Sequence, residues 1–74
     1  MVEVFKTNVG ARRHARLLLH QIHQNFQEYH ANFDLEDCDK ILRVECQSRF
    51  IQPSHLIQLL AAAGFRAEVL PDED

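Results

Sequence analysis

Residues 10–28, GARRHARLLLHQIHQNFQE, are the stretch that decides the fold of this 74-residue chain. Apolar residues recur there at steps of three and four, which predicts one apolar stripe along a helix of about five turns. The stripe consists of Ala11, Ala15, Leu18, Leu19, Ile22 and Phe26. Thr7 or Asn8 is expected to cap this helix, because a short oxygen-bearing side chain accepts from an unpaired amide of the first turn.

The segments on both sides of this helix alternate between apolar and polar residues, which is typical of β-strands. Residues 2–7 predict a first strand with Val2 and Val4 facing the helices. Residues 30–36 predict a second strand, and residues 37–39 a turn. The residues expected on one face of the second strand are Ala31, Phe33 and Leu35.

The second half of the chain repeats the order strand, helix, strand. Residues 40–46 predict a third strand with Leu42 and Val44 in the core, and Ile51 is expected to anchor the loop that follows. Pro53 suits the first position of a second helix, and Gly64 suits a left-handed stop after it. The apolar stripe predicted for this helix is Leu56, Leu59, Leu60 and Ala63, and the alternating residues of the fourth strand are Phe65, Ala67 and Val69.

The doubled order βαββαβ predicts an α+β, ferredoxin-like sandwich: a four-stranded antiparallel sheet with two helices on one face. Its first and third strands should be central. We expect residues 1–70 to form one domain and residues 71–74 to form a disordered acidic tail.

Composition and charge argue against several classes of function. The net charge of −3 argues against general nucleic-acid binding. The sequence shows neither a signal-peptide pattern nor an apolar run near 18 residues, so neither secretion nor membrane spanning is expected. Two cysteines, Cys38 and Cys46, are too few for a disulfide framework, which favours a cytoplasmic protein with both thiols reduced. Cys46 is expected to be a small buried residue.

Three stretches resemble the heavy-metal-associated domain family, the small fold of copper chaperones and of the N-terminal modules of metal-pumping ATPases. They are Asn32-Phe33-Asp34-Leu35, then Pro53-Ser54-His55-Leu56-Ile57, and finally Ala62-Ala63-Gly64-Phe65-Arg66-Ala67-Glu68-Val69. Their order and spacing are similar to the family's second strand, second helix and closing strand. The resemblance covers nearly the whole chain and implies the same ferredoxin-like fold.

The family's metal loop is a Met-Thr-Cys-x-x-Cys run between the first strand and the first helix. Residues 6–11, Lys-Thr-Asn-Val-Gly-Ala, fall at that position, and Thr7 alone matches. Asn8 and Ala11 stand at the two thiolate positions, and Lys6 replaces the methionine. Cuprous ion requires soft thiolate ligands, so no metal-binding residue is carried over and no cofactor is expected.

His20 and His23 are the alternative metal ligands, because they lie three residues apart on the outer face of the first helix. Two imidazoles alone bind a metal weakly, so this alternative needs a further ligand from a second subunit. His30 and His55 are expected to be surface residues, and His14 lies between arginines that would repel a bound cation. No Cys–His or Ser–His–Asp arrangement and no glycine-rich phosphate loop can be assembled, and we expect no enzyme.

The positions of Arg12, Arg13 and Arg16 are unusual, because cations at the start of a helix oppose its dipole. Lys6 precedes them, and no acidic residue lies between Val4 and Gln27. We expect these four basic residues to bind an acidic surface on a protein partner. The alternative, that the arginines only keep the protein soluble, stays open. The resemblance implies the same surface, since the family docks partner domains at this edge of the first helix.

The open face of the sheet is the other candidate contact. With Val2 and Val4 inside, the open face would carry Glu3, Phe5, Thr7, Ile41, Arg43 and Glu45. One aromatic residue between glutamates is a poor platform for stacking RNA bases. Phe5 and Ile41 would instead suit a homodimer or partner contact. The sequence therefore predicts a non-enzymatic interaction or regulatory module, with histidine-based metal binding as the alternative.

Overall fold

The computed structural model describes residues 1–36, 38, 40–47 and 50–70. The predicted turn residues Asp37 and Asp39 and the predicted tail at 71–74 lie outside the described residues. The elements, in chain order, are β1 (Val2–Thr7), α1 (Arg12–Asn25), β2 (His30–Asp34), β3 (Ile41–Glu45), α2 (Pro53–Ala62) and β4 (Ala67–Val69).

The four strands form one antiparallel sheet in the order β2-β3-β1-β4, so β1 and β3 are central and β2 and β4 are edge strands. The α+β ferredoxin-like fold is thereby confirmed. Both helices bury their apolar stripes against one face of the sheet. The largest fully buried side chains there are Phe5, Leu18, Ile22, Leu42, Leu56 and Leu60.

The predicted orientation of β1 is wrong. Phe5 is fully buried and Thr7 nearly so, whereas Val2 is 43% exposed. Phe5 pairs with Leu42 and Val4 pairs with Arg43, which places Phe5 on the helix side and Val4 on the open face. A phenyl ring buries more apolar area than a valine side chain, so this orientation gains more from the hydrophobic effect.

Phe5 therefore cannot take part in the homodimer or partner contact that was predicted for Phe5 and Ile41 on the open face. The outward residues of the two central strands are Val2, Val4, Lys6, Ile41, Arg43 and Glu45. Arg43 and Glu45 form an exposed ion pair, with Nε and Oε1 3.7 Å apart.

Helix α1 follows the predicted stripe but is shorter than predicted. Ala15, Leu18 and Ile22 are buried, and Leu19 and Phe26 pack beside them. The predicted cap is wrong: Ala11 is the N-cap residue, and none of the described side chains caps the helix. Four residues separate β1 from α1, so the side chains of Thr7 and Asn8 lie too far from the first turn of the helix to cap it.

Helix α2 begins at Pro53, as predicted, and buries Leu56 and Leu60. Ala63 is exposed, contrary to the predicted stripe, because the helix ends at Ala62. Gly64 has φ 93°, the left-handed stop predicted for it. Ile51 and Cys46 are buried as predicted, at 4% and 0% exposure.

Candidate partner-binding site at the start of α1

The link from β1 to α1 consists of residues 8–11. Asn8 and Ala11 both lie in it, at the junction predicted for the missing thiolates. The Arg66 N–H donates to Asn8 Oδ1 (2.8 Å), and the Asn8 N–H donates to the Arg66 carbonyl (3.4 Å). The amide of Asn8 thus ties this link to the connection between α2 and β4, a structural role that a carboxamide suits.

Thr7 holds the other side of the same link. Its hydroxyl donates to the Lys40 carbonyl (2.5 Å) and accepts from the Val9 N–H (3.2 Å). Thr7 and Val9 are both buried, so water cannot easily replace these bonds. One hydroxyl therefore joins the end of β1, the link and the residue before β3.

Replacing Thr7 with valine should lower the free energy of unfolding by about 1–3 kcal/mol, because the buried Val9 amide loses its acceptor. Thr7→Ser is the matched control, since it keeps the hydroxyl and removes only a methyl group. Urea denaturation followed by circular dichroism measures both. Equal losses in the two variants would contradict the hydrogen-bonding role of Thr7.

Arg12 and Arg13 occupy the first turn of α1, and Arg16 follows one turn later. All three are exposed, and the first turn contains no acidic residue. Within the described part of the chain, none of the three makes a hydrogen bond or an ion pair. Their charges therefore add to the positive end of the helix dipole, and no described carboxylate forms an ion pair with them.

A groove of about 380 Å³ runs between α1 and β2. Its helix wall consists of Arg12, Ala15, Arg16 and Leu19, and its other wall of residues 32–36. Phe33 and Leu35 are partly buried and pack against the core, so the floor of the groove is apolar. Sequence reasoning found the arginines but missed the groove, because helix–strand proximity is a tertiary feature.

Lys6 lies apart from the arginine groove. On the open face it pairs in register with Ile41 of β3 and Glu68 of β4. It borders a second cavity, of about 500 Å³, together with Phe65 and Arg66. The structure therefore brings Arg12 and Arg16 together at one groove and places Lys6 at another, while Arg13 borders neither.

The two candidate metal ligands differ in their surroundings. His20 and His23 are both exposed on α1. His23 Nε2 accepts a hydrogen bond from the Ala31 N–H of β2 (3.2 Å), so a metal at Nε2 would have to displace this bond. Among the described residues, no group of three or more His, Cys, Asp or Glu side chains could hold a metal ion.

The remaining histidines pack against aromatic rings or lie in solvent. His14 is half-buried, with its ring 5.2 Å from that of Phe65. His55 is exposed and stacks on Phe26 at 5.7 Å between ring centroids, and His30 is exposed at the start of β2.

A scan against protein-family models gave no match, and neither did searches of curated proteins and of solved structures. The resemblance to heavy-metal-associated domains stays a prediction that rests on the quoted motifs. Among the described residues, no helix has the length and apolar character needed to cross a bilayer.

Proposed function

We propose that this protein is a small non-enzymatic domain, similar to heavy-metal-associated domains but without their thiolate loop, that acts as a protein-interaction or regulatory module. The observation that carries this proposal is the group of exposed arginines, Arg12, Arg13 and Arg16, which lack ionic partners among the described residues. Such charges oppose the helix dipole, and an acidic partner would supply the missing compensation.

Two further features support this choice over others. The open face of β1 and β3, both fully described, presents no aromatic side chain because Phe5 is buried on the other side. A sheet of this type binds RNA by stacking bases on such aromatics. Cys38 and Cys46 are free thiols, which fits a cytoplasmic location.

Affinity capture from the native cell tests the proposal when wild-type protein is compared with Arg12→Glu/Arg13→Glu. Arg66→Glu is the matched control, because it reverses an exposed arginine outside α1. We expect one or more acidic proteins to be captured by the wild type and the control, and lost from the double variant. Raising the salt concentration should weaken the same capture, since exposed charges are then screened. Capture that survives the double charge reversal would refute the proposal.

Metal titration separates the alternative, a histidine-based metal binder. We expect zinc, nickel and cuprous ions to shift the NMR signals of His20 and His23 only at millimolar concentration, because two imidazoles bind weakly. Specific shifts at micromolar metal, lost in His20→Gln, would favour the alternative. His30→Gln is the control, since it removes an exposed imidazole from β2.

A further inference from the structure

We propose that the acidic partner binds as an extended segment that adds a fifth strand at the free edge of β2, with carboxylates directed at Arg12 and Arg16. This inference rests on the proposed function and names the chemistry of its partner: a short strand in which acidic residues recur at alternate positions on the side facing α1.

The first step is the free edge itself. β2 lies at the end of the sheet, and β3 is its single neighbour in the part of the chain that the structure describes. His23 Nε2 already accepts the Ala31 N–H, so the part of the edge that is open to an added strand begins after Ala31. The same bond shows that the Ala31 N–H points away from β3, although Ala31 pairs in register with Val44. In antiparallel pairing, the direction of the backbone groups alternates from residue to residue. Phe33 therefore also directs its N–H and carbonyl away from β3, toward the free edge.

The second step is the groove beside that edge. A strand added next to β2 would lie about 4.8 Å away, with alternate side chains on the helix side of the sheet. Those side chains would enter the groove floored by Phe33 and Leu35 and walled by α1. Backbone bonds would give the affinity and the groove would select side chains, as in other cases of strand addition.

The third step is charge. Arg12 and Arg16 are four residues apart, so they lie on the same side of α1 and both border the groove. A guanidinium group pairs with a carboxylate through two parallel hydrogen bonds, which favours acidic side chains at this wall. Asp34 and Glu36 border the other wall, and the Glu36 N–H donates to Asp34 Oδ1 (3.2 Å).

These two acidic residues sharpen the prediction. Asp34 pairs in register with Ile41, whose side chain lies on the open face. A partner residue on that side would meet a carboxylate, and like charges side by side are unfavourable. Acidic residues should therefore be selected at the helix-facing positions of the partner strand and excluded from the positions between them.

A second copy of this chain is a poorer occupant. In a two-fold pairing of β2 with β2, the strands run in opposite directions, and the Asp34 end of one meets the His30 end of the other. With Asp34 opposite His30, residues 28–32 of the copy would lie opposite residues 32–36, and their one carboxylate, Glu28, has the same parity as the outward-facing Asp34. The helix-facing positions of the copy would therefore bring no carboxylate to Arg12 and Arg16.

Selection from a displayed library of random linear peptides tests the inference, with the wild-type protein as target. The expected peptides carry Asp or Glu at alternate positions. Their affinity should fall by about tenfold or more in Arg12→Glu/Arg16→Glu and stay unchanged in Arg66→Glu. Two sets of peptides, N-methylated at the odd or at the even positions, should differ in binding. One set should lose binding and the other keep it, because only alternate N–H groups of the added strand bond to β2.

Amide exchange of Phe33 gives the second readout, since an added strand should protect this N–H. The inference would be overturned by a lack of acidic enrichment, by tolerance of both N-methylated sets, or by an unprotected Phe33 amide in the complex. Dimeric wild-type protein with Phe33 already protected would also overturn it, by placing a second copy at the edge. A different result would refute the proposed function: capture of cellular proteins that survives the charge reversal.

Discussion

Replacing Phe5 with alanine should lower the free energy of unfolding by about 3–5 kcal/mol, because it removes a whole aromatic ring from the core. Phe5 is fully buried between the sheet and the helices, at the centre of β1. A domain of this length has a total stability of about 4–11 kcal/mol, so the variant should be close to unfolding at ambient temperature. Urea denaturation monitored by circular dichroism measures the loss.

Val2→Ala is the control for this substitution. Val2 lies on the opposite face of the same strand and is 43% exposed, so its truncation should change stability by less than about 1 kcal/mol. The comparison tests the orientation of β1 directly. A small loss for Phe5→Ala together with a large loss for Val2→Ala would restore the opposite orientation.

The order of the elements could be predicted from the sequence because the apolar residues of each helix recur at three- and four-residue steps, a spacing that fits a helix and not a strand. The orientation of β1 could not be predicted, because Val2, Val4 and Phe5 are all apolar. Either face of the strand could therefore be the buried one. The deciding signal lies beyond the strand. Val9 is fully buried and has the same parity as Phe5 and Thr7, so the inward pattern continues into the link.

The candidate site was predictable only in part. Charge clustering identified Arg12, Arg13 and Arg16, since it depends on neighbours along the chain. The groove and the bond between His23 and Ala31 depend on where β2 lies against α1, which local sequence does not encode.

Thr7 and Asn8 also show the limit of propensity, because their residue types favour the cap of a helix. Both instead bond to distant parts of the chain, at Lys40 and Arg66. Such bonds depend on which segments the fold brings next to the link, and that information is not present in the residues around positions 7 and 8.

The double variant Arg12→Glu/Arg13→Glu should be more stable than the wild type while losing its partner. Cations in the first turn of a helix are unfavourable and carboxylates there are favourable, each by about 0.3–1 kcal/mol at an exposed site. Reversing both charges should therefore raise the free energy of unfolding by about 1–4 kcal/mol. For a domain of this size, each kcal/mol raises the Tm by about 4–8 °C. Thermal denaturation at low salt measures the gain.

A gain in stability together with a loss of binding distinguishes a functional surface from one that only keeps the protein soluble. Arginines that only keep the protein soluble would give the same gain in stability without any loss of binding. Arg66→Glu should change neither quantity, because Arg66 lies outside both helices. The gain should shrink at about 1 M salt, where the Debye length falls to about 3 Å. A double variant less stable than the wild type would show that Arg12 and Arg13 stabilise the native fold, and their charges would then need no partner.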